Sequence, residues 1–235
     1  MNKGNLFLIP APLGPAPIQE IMPGIVAEVI SRLTYFIVEN EKTARRFIKQ
    51  ICPEKKQADL VIFQLDKHDK SAYLQEYIQP LLQGKDVGLL SEAGLPAIAD
   101  PGSLVVALAH KNQIPVKPLV GPSSLMLALM ASGMNGQKFS FEGYLPKDSG
   151  ELKRKLKYLE QISLRENRAI MAIETPYRNN KLLESFLKYL QPNTRLCIAC
   201  DITLPTEFIR TLPVKVWKKQ KVDLHKRPTV FIFQA

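Results

Sequence analysis

No apolar run in this 235-residue chain approaches the roughly 20 residues that span a bilayer, so no membrane partner is expected. Cysteine is scarce. Cys52, Cys197 and Cys200 are too few for a disulfide framework and fit a reducing, cytoplasmic setting. Cys197 and Cys200 stand three apart in an apolar stretch that reads as a strand, where such residues point to opposite faces. With no second CxxC and no histidine pair to complete a ligand set, they read as small core residues and not as a metal or redox centre.

The common catalytic signatures are also missing. His68, His110 and His225 have no spacing of a metal site or a triad, and read as surface histidines. There is no GxxxxGK[ST] loop, no GxGxxG after the first strand and no GxSxG elbow. Phosphate-loop, dinucleotide and activated-serine chemistry are therefore unsupported, and no metal is expected. What remains is group transfer from a reactive cofactor, where the protein supplies positioning and electrostatics.

Acid is the minority charge: 22 Asp and Glu against 32 Lys and Arg give +10 and a pI near 9.5. Such an excess favours a polyanionic partner, either nucleic acid or a carboxylate-rich substrate. The basic residues cluster at Lys42–Lys49, Lys147–Lys157 and Lys215–Arg227. Few aromatics lie among them (Phe47, Tyr158, Trp217), which gives little support for a base-stacking platform.

Apolar spacing predicts strands at Leu6–Ile9, Tyr35–Glu39, Leu60–Leu65, Asp86–Leu90 and Val116–Val120. Helices are predicted at Ile21–Leu33, Glu41–Ile51, Tyr73–Leu82 and Leu104–His110, giving the alternation of a parallel sheet covered on both faces. The N-terminal MNKGNLFLIPAPLGPAP reads as a first strand and stiff loop, not as a signal peptide. Beyond Gly121-Pro122-Ser123-Ser124, the run LMLALMA is too continuous for a surface helix and is expected to be buried. Phe139–Tyr144 reads as a strand with alternating faces, and Asp148 as the cap of a helix with Leu152, Leu156 and Leu159 on one face. Arg168–Glu174, Asn179–Leu190 and Arg195–Asp201 read as strand, helix, strand, and the segment after Glu207 as strands with no long helix. The second half is thus expected to hold a mixed sheet, with domains at 1–119 and 120–235.

The stretch Gly84–Gly102, GKDVGLLSEAGLPAIADPG, is the centre of the design. A buried strand runs into a Gly/Pro loop and then a helix start, with Asp100 as cap and Pro101 at the first helical position. Ligands of α/β proteins sit at such carboxyl ends of parallel strands. Glu92, just past the strand, is placed to bind a ligand amine or ribose hydroxyl.

These segments resemble the tetrapyrrole methylase superfamily of S-adenosylmethionine-dependent methyltransferases. Within it they are most similar to the branch that 2′-O-methylates a ribose in small-subunit ribosomal RNA. The resemblance rests on APLG at 11–14, SEAGLPAIADPG at 91–102, GPSS at 121–124, FEGYLPK at 141–147 and ETPYR at 174–178. It implies two α/β domains with the cofactor in the cleft between them, and a homodimer. It places S-adenosylmethionine contacts at Leu13, at Glu92, Ala93, Gly94 and Leu95, and at Ser123 and Ser124. The chain departs from the branch in three places. Pro15-Ala16 replaces Asn-Leu after the first loop, SEAGLPA stands for SDAGTPG, and VENEKTAR stands for the acidic AEDTR segment.

The expectation is a methyltransferase acting on RNA, with Arg45, Arg46, Lys147, Arg154 and Arg178 as phosphate contacts. No catalytic residue is singled out. Two alternatives stand beside it: a methyltransferase of a tetrapyrrole or other anionic small molecule, and a non-catalytic RNA-binding paralogue.

Overall fold

The computed structural model describes residues 2–65 and 74–235. His68 and the predicted helix start at Tyr73 lie outside them. The chain divides into two compact units, Met1–Ser123 and Ser124–Ala235.

In the first unit, strands β1 (Leu6–Ile9), β2 (Tyr35–Val38), β3 (Val61–Gln64), β4 (Val87–Leu90) and β5 (Val116–Pro118) form one sheet in the order β3-β2-β4-β1-β5. Every pairing in it is parallel. Successive residues of a strand face opposite sides, and the core follows that rule. Phe7, Phe36 and Leu90 join one apolar cluster, while their neighbours Leu6, Ile37 and Leu89 join another. The first cluster is closed by α2 (Gly24–Arg32) and α3 (Glu41–Ile51) through Val26, Ile30, Phe47 and Ile48. The second is closed by α4 (Leu74–Leu82) and α5 (Gly102–Lys111) through Ile78, Leu81, Val105 and Ala109. Helices thus cover both faces, which is why β1, β2 and β4 are apolar throughout instead of alternating, while the edge strands β3 and β5 carry exposed Gln64 and Lys117.

Two sequence expectations are corrected here. The helix predicted over Ile21–Leu33 is broken into α1 (Ile18–Ile21) and α2. Proline disfavours helical backbone in the residue before it, and Met22, preceding Pro23, is extended at φ −109° and ψ 127°. The strand predicted to reach Val120 stops at Pro118, whose nitrogen cannot donate to a ladder; Val120 is exposed.

The second unit opens with α6 (Ser124–Ser132), followed by β6 (Phe139–Tyr144), α7 (Ser149–Glu166), β7 (Ala169–Ile173), α8 (Asn179–Tyr189), β8 (Arg195–Cys200), β9 (Phe208–Pro213), α9 (Val214–Trp217) and β10 (Thr229–Gln234). The sheet order is β6-β7-β10-β8-β9. β6 pairs with β7 in parallel, and the other pairings are antiparallel. α7, α8 and α9 close one face through Leu156, Phe186 and Trp217 over Ile170, Ile198, Phe231 and Phe233. α6 lies against β8, β9 and β10. Asp148 caps α7 by accepting from the Gly150 and Glu151 amides.

α6 is not buried all round, contrary to the reading of LMLALMA. Leu125, Ala128, Leu129 and Ser132 are buried, whereas Met126 and Met130, one turn apart, are 45% and 77% exposed. A run apolar on every side still presents one side to each neighbour. β6 also lacks clean alternation. It is an edge strand whose register slips between Phe141 and Tyr144, around Gly143 at φ +64°.

Cys197 and Cys200 are fully buried in β8. Among the described residues no group of three or more His, Cys, Asp or Glu could hold a metal ion, and no helix is long and apolar enough to cross a membrane.

Candidate active site

The carboxyl ends of β1, β4 and β5, adjacent in the sheet, bring three of the sequence motifs together. The chain leaves β4 at Leu90, and Ser91 Oγ donates to the Gly94 carbonyl at 3.1 Å, curling the loop back on itself. Gly94 then forms an antiparallel bridge with Ala11. The Ala11 amide donates to the Gly94 carbonyl at 2.9 Å, and the Gly94 amide to the Ala11 carbonyl at 3.0 Å. Gly94 has φ +73°, and a β-carbon there would stand 3.4 Å from Leu13 Cδ2 and 3.7 Å from the Pro122 carbonyl oxygen. The bridge needs a residue that tolerates left-handed backbone at this junction. At the next junction Gly121 lies so close to Pro10 that a β-carbon would fall 2.3 Å from the ring carbons Cβ and Cγ.

Leu13, Ala93, Gly94 and Leu95 therefore occupy one neighbourhood, and Pro122 leads directly into buried Ser123 and into Ser124, the first residue of α6. Ala93 is exposed, while Leu13 and Leu95 are half-buried.

The remainder of the central loop is strained. Ala97 and Ala99 have φ +65° and +60°, a region that a residue with a β-carbon occupies at a cost of roughly 1–2 kcal/mol. Asp100 holds this shape: its Oδ1 accepts from both the Ala97 and the Gly102 amides at 2.8 Å. The expected placing shifts by one residue: α5 opens at Gly102 with Pro101 in the cap position, and Asp100, one residue earlier, fastens the loop to the first amide of the helix. Pro101 has helical φ −72° and ψ −8°. Beside it a cavity of about 10 Å³ is lined by Val38, Glu39, Leu89, Pro96 and Asp100, enough for a single water.

Glu92 is exposed, and its Oε1 accepts a 2.6 Å hydrogen bond from Thr43 Oγ1 in the first turn of α3. Asn40 caps that turn by accepting from the Lys42 and Thr43 amides. Thr43 and Asn40 are contributors the sequence reading did not name. The VENEKTAR segment held the signal, an Asn followed by Thr at a helix start.

The charge of these loops runs against that of the chain. Segments 10–17, 91–102 and 119–124 contain no Lys or Arg, and their ionisable residues are Glu92 and Asp100. A site for phosphates would be expected to bring cations. Small residues, backbone edges and a carboxylate instead suit a ligand carrying positive charge and apolar surface. S-adenosylmethionine has both, in its sulfonium, its ammonium and its adenosine rings, so the residues present fit it.

The five proposed phosphate contacts are not equivalent. Arg45 pairs with Glu41 at 2.7 Å and also donates to the Gln57 carbonyl. Arg178 pairs with the buried carboxylate of Glu174 at 3.1 Å. Arg46, Lys147 and Arg154 are exposed and make no ion pair with any described residue. Arg46 lies in the first unit, whereas Lys147 and Arg154 lie at the start of α7 in the second.

Comparison with known proteins identifies methyltransferases among the relatives. The Vibrio cholerae protein named ribosomal RNA small subunit methyltransferase I is 29% identical over 209 residues, which is 89% of this chain and 68% of the relative. Its namesake from Escherichia coli O157:H7 is 26% identical over 237 residues, covering 100% of this chain and 79% of the relative. Among solved structures, the methyltransferase CobJ superposes with a TM-score of 0.65 at 14% identity, covering 98% of this chain and 94% of the other. Uroporphyrin-III C-methyltransferase of Thermus thermophilus, complexed with S-adenosylhomocysteine, gives 0.56 at 16% identity, covering 98% and 97%. Those two likenesses establish the fold alone. The family profile described as tetrapyrrole (corrin/porphyrin) methylases matches residues 26–216. The chain belongs to that family of methyltransferases.

Proposed function

We propose that this protein transfers a methyl group from S-adenosylmethionine to RNA, at a ribose 2′-oxygen of small-subunit ribosomal RNA. The observation that carries the donor is the absence of cations from three converging loops in a chain of charge +10. The names of its relatives and the exposed, unpaired Arg46, Lys147 and Arg154 support the acceptor, because a nucleic-acid backbone is held chiefly by cations.

Leu13, Leu95 and the backbone of Ala93 and Gly94 would hold the cofactor, with Ser123 and Ser124 at the start of α6 and Glu92 facing its positive charge. When bound, S-adenosylmethionine supplies an electrophilic methyl on a sulfonium. The loops contribute orientation, and the Ala11–Gly94 bridge keeps them from shifting when the ligand enters. Preorganised positioning of this kind accounts for a large part of the rate in bimolecular transfer.

The reading is tested by incubating the protein with methyl-labelled S-adenosylmethionine and RNA from cells lacking this gene. Label in a dinucleotide that resists alkaline hydrolysis supports ribose methylation. Label only in a porphyrin precursor would replace RNA by a tetrapyrrole, and RNA binding without transfer would indicate a non-catalytic paralogue. The family resemblance also implies a homodimer and the scarce cysteines a cytoplasmic setting, which sedimentation equilibrium and cell fractionation test.

A further inference from the structure

The second unit holds an exposed aromatic pair for which the methyl-transfer site has no use. The Tyr177 ring is 69% exposed. His225, from the loop before β10, meets it edge-on at 6.0 Å between centroids and 74° between planes. Lys226 Nζ stands 5.9 Å from the centre of the same ring.

The surrounding bonds make this a fixed assembly. The Lys226 amide donates to the Pro176 carbonyl at 3.0 Å, with Lys226 at φ +60°. Asp223 Oδ1 accepts from the His225 amide at 3.0 Å and from Asn180 Nδ2 at 2.8 Å. Asn180 Oδ1 accepts from the Leu224 amide, and buried Asn179 donates to the Arg227 carbonyl. The 223–227 segment is therefore stitched to the 176–180 turn, and the ring gains no burial in return.

The stretch leading into His225 and Lys226 is basic. Lys218, Lys219 and Lys221 are exposed and make no ion pair with any described residue. Three carboxylates tied to these segments are engaged: Asp223 by the bonds above, Glu174 by Arg178 and Asp201 by Arg227. An exposed aromatic face held beside the Lys226 ammonium, with further exposed lysines in the preceding segment, is the chemistry that receives an unstacked base and its flanking phosphates.

We propose that Tyr177, His225 and Lys226 form a docking platform for one unpaired nucleotide of the RNA, with Lys218, Lys219 and Lys221 holding the adjoining backbone; this rests on RNA being the substrate. The base stacks on the open face of Tyr177, and His225 and Lys226 fix the ring from its edge and other side.

The test measures anisotropy of a short fluorescein-labelled single-stranded oligoribonucleotide of mixed sequence, and of the same strand annealed to its complement. Tyr177→Ala should weaken single-strand binding about 5- to 100-fold, leave duplex binding unchanged, and leave the melting temperature and S-adenosylhomocysteine affinity as in wild type. Tyr177→Phe should bind as wild type does. Lys226→Gln should lower the salt slope by about one. Wild-type-like binding by Tyr177→Ala overturns the platform, and so does equal loss for single strand and duplex. A Tyr177→Phe variant as weak as Tyr177→Ala also overturns it. If wild type methylates RNA while Tyr177→Ala binds normally, only the platform falls. If wild type neither binds nor methylates RNA, the RNA reading falls with it.

Discussion

Thr43 holds Glu92: its hydroxyl donates to the carboxylate at 2.6 Å and so ties the first turn of α3 to the loop after β4. Thr43 Oγ1 also lies 3.1 Å from the Asn40 carbonyl, but a hydroxyl has one proton, and the charged acceptor takes it at the shorter distance. Thr43→Val releases the carboxylate without changing side-chain shape. With Glu92 facing the cofactor's positive charge, the dissociation constant of S-adenosylhomocysteine should rise about 3- to 10-fold. Stability should fall by about 1 kcal/mol at this half-buried position. Calorimetry showing wild-type affinity would count against Glu92 as a ligand contact.

The strained loop predicts an unusual gain. Ala97 pays for its φ of +65°, where the related SDAGTPG pattern has glycine, so Ala97→Gly should stabilise the protein by about 0.5–1 kcal/mol. Gly121→Ala should do the reverse. Its new β-carbon would sit 2.3 Å from Pro10, and neither the ring nor the backbone can yield. A loss on the order of 3 kcal/mol is expected, and a melting temperature lower by roughly 10 °C. Calorimetric scans of the two variants should therefore move in opposite directions.

Arg46, Lys147 and Arg154 should each contribute a counterion-release term to RNA binding. Replacing any one by Gln should weaken binding across sequences alike and flatten the salt slope by about one. Arg45→Gln and Arg178→Gln should change the slope less, because Glu41 and Glu174 already neutralise those charges. Equal slopes for all five variants would refute the distinction.

Burial pushes the thiols of Cys197 and Cys200 up, and that of Cys52 as well, with Lys55 partly opposing the last. A raised thiol means that the folded protein keeps its proton to higher pH than the unfolded chain does. The associated stability is present below the ordinary thiol value of about 8.5 and is lost as pH rises beyond it. Denaturant midpoints should hold between about pH 7 and 8 and fall above about pH 9. At neutral pH half-buried Cys52 should alkylate first, and Cys197 and Cys200 only on unfolding. Simultaneous labelling of all three would contradict the packing of β8.

The strand order of burial was legible because residues buried on both faces leave a continuous apolar run. Leu6–Ile9 and Arg195–Asp201 were accordingly placed to within a residue. Gly94, Asp100 and Pro101 were legible because their chemistry is local. Ala97 and Ala99 were not: alanine gives no sign of a left-handed backbone when Asp100 imposes it. The Thr43–Glu92 and Tyr177–His225 pairings were equally hidden, since each joins segments that meet only once the sheets have formed. The break at Pro23 could have been read from the sequence, had the proline been weighed above the apolar spacing around it.

Both sheets take an interior strand from an extreme of the numbering. β1 waits for β4 and β5, and the neighbours of β10 are β7 and β8. During synthesis the first sheet therefore stays open until residue 118 has left the ribosome, and the second until residue 234. Until β4 emerges Leu6–Ile9 remains an apolar strand without a partner, and until β5 emerges it keeps one open edge, the kind of segment that associates wrongly when elongation outpaces folding. A pause in translation near the junction at 123 would give the first sheet time to close before the second unit emerges.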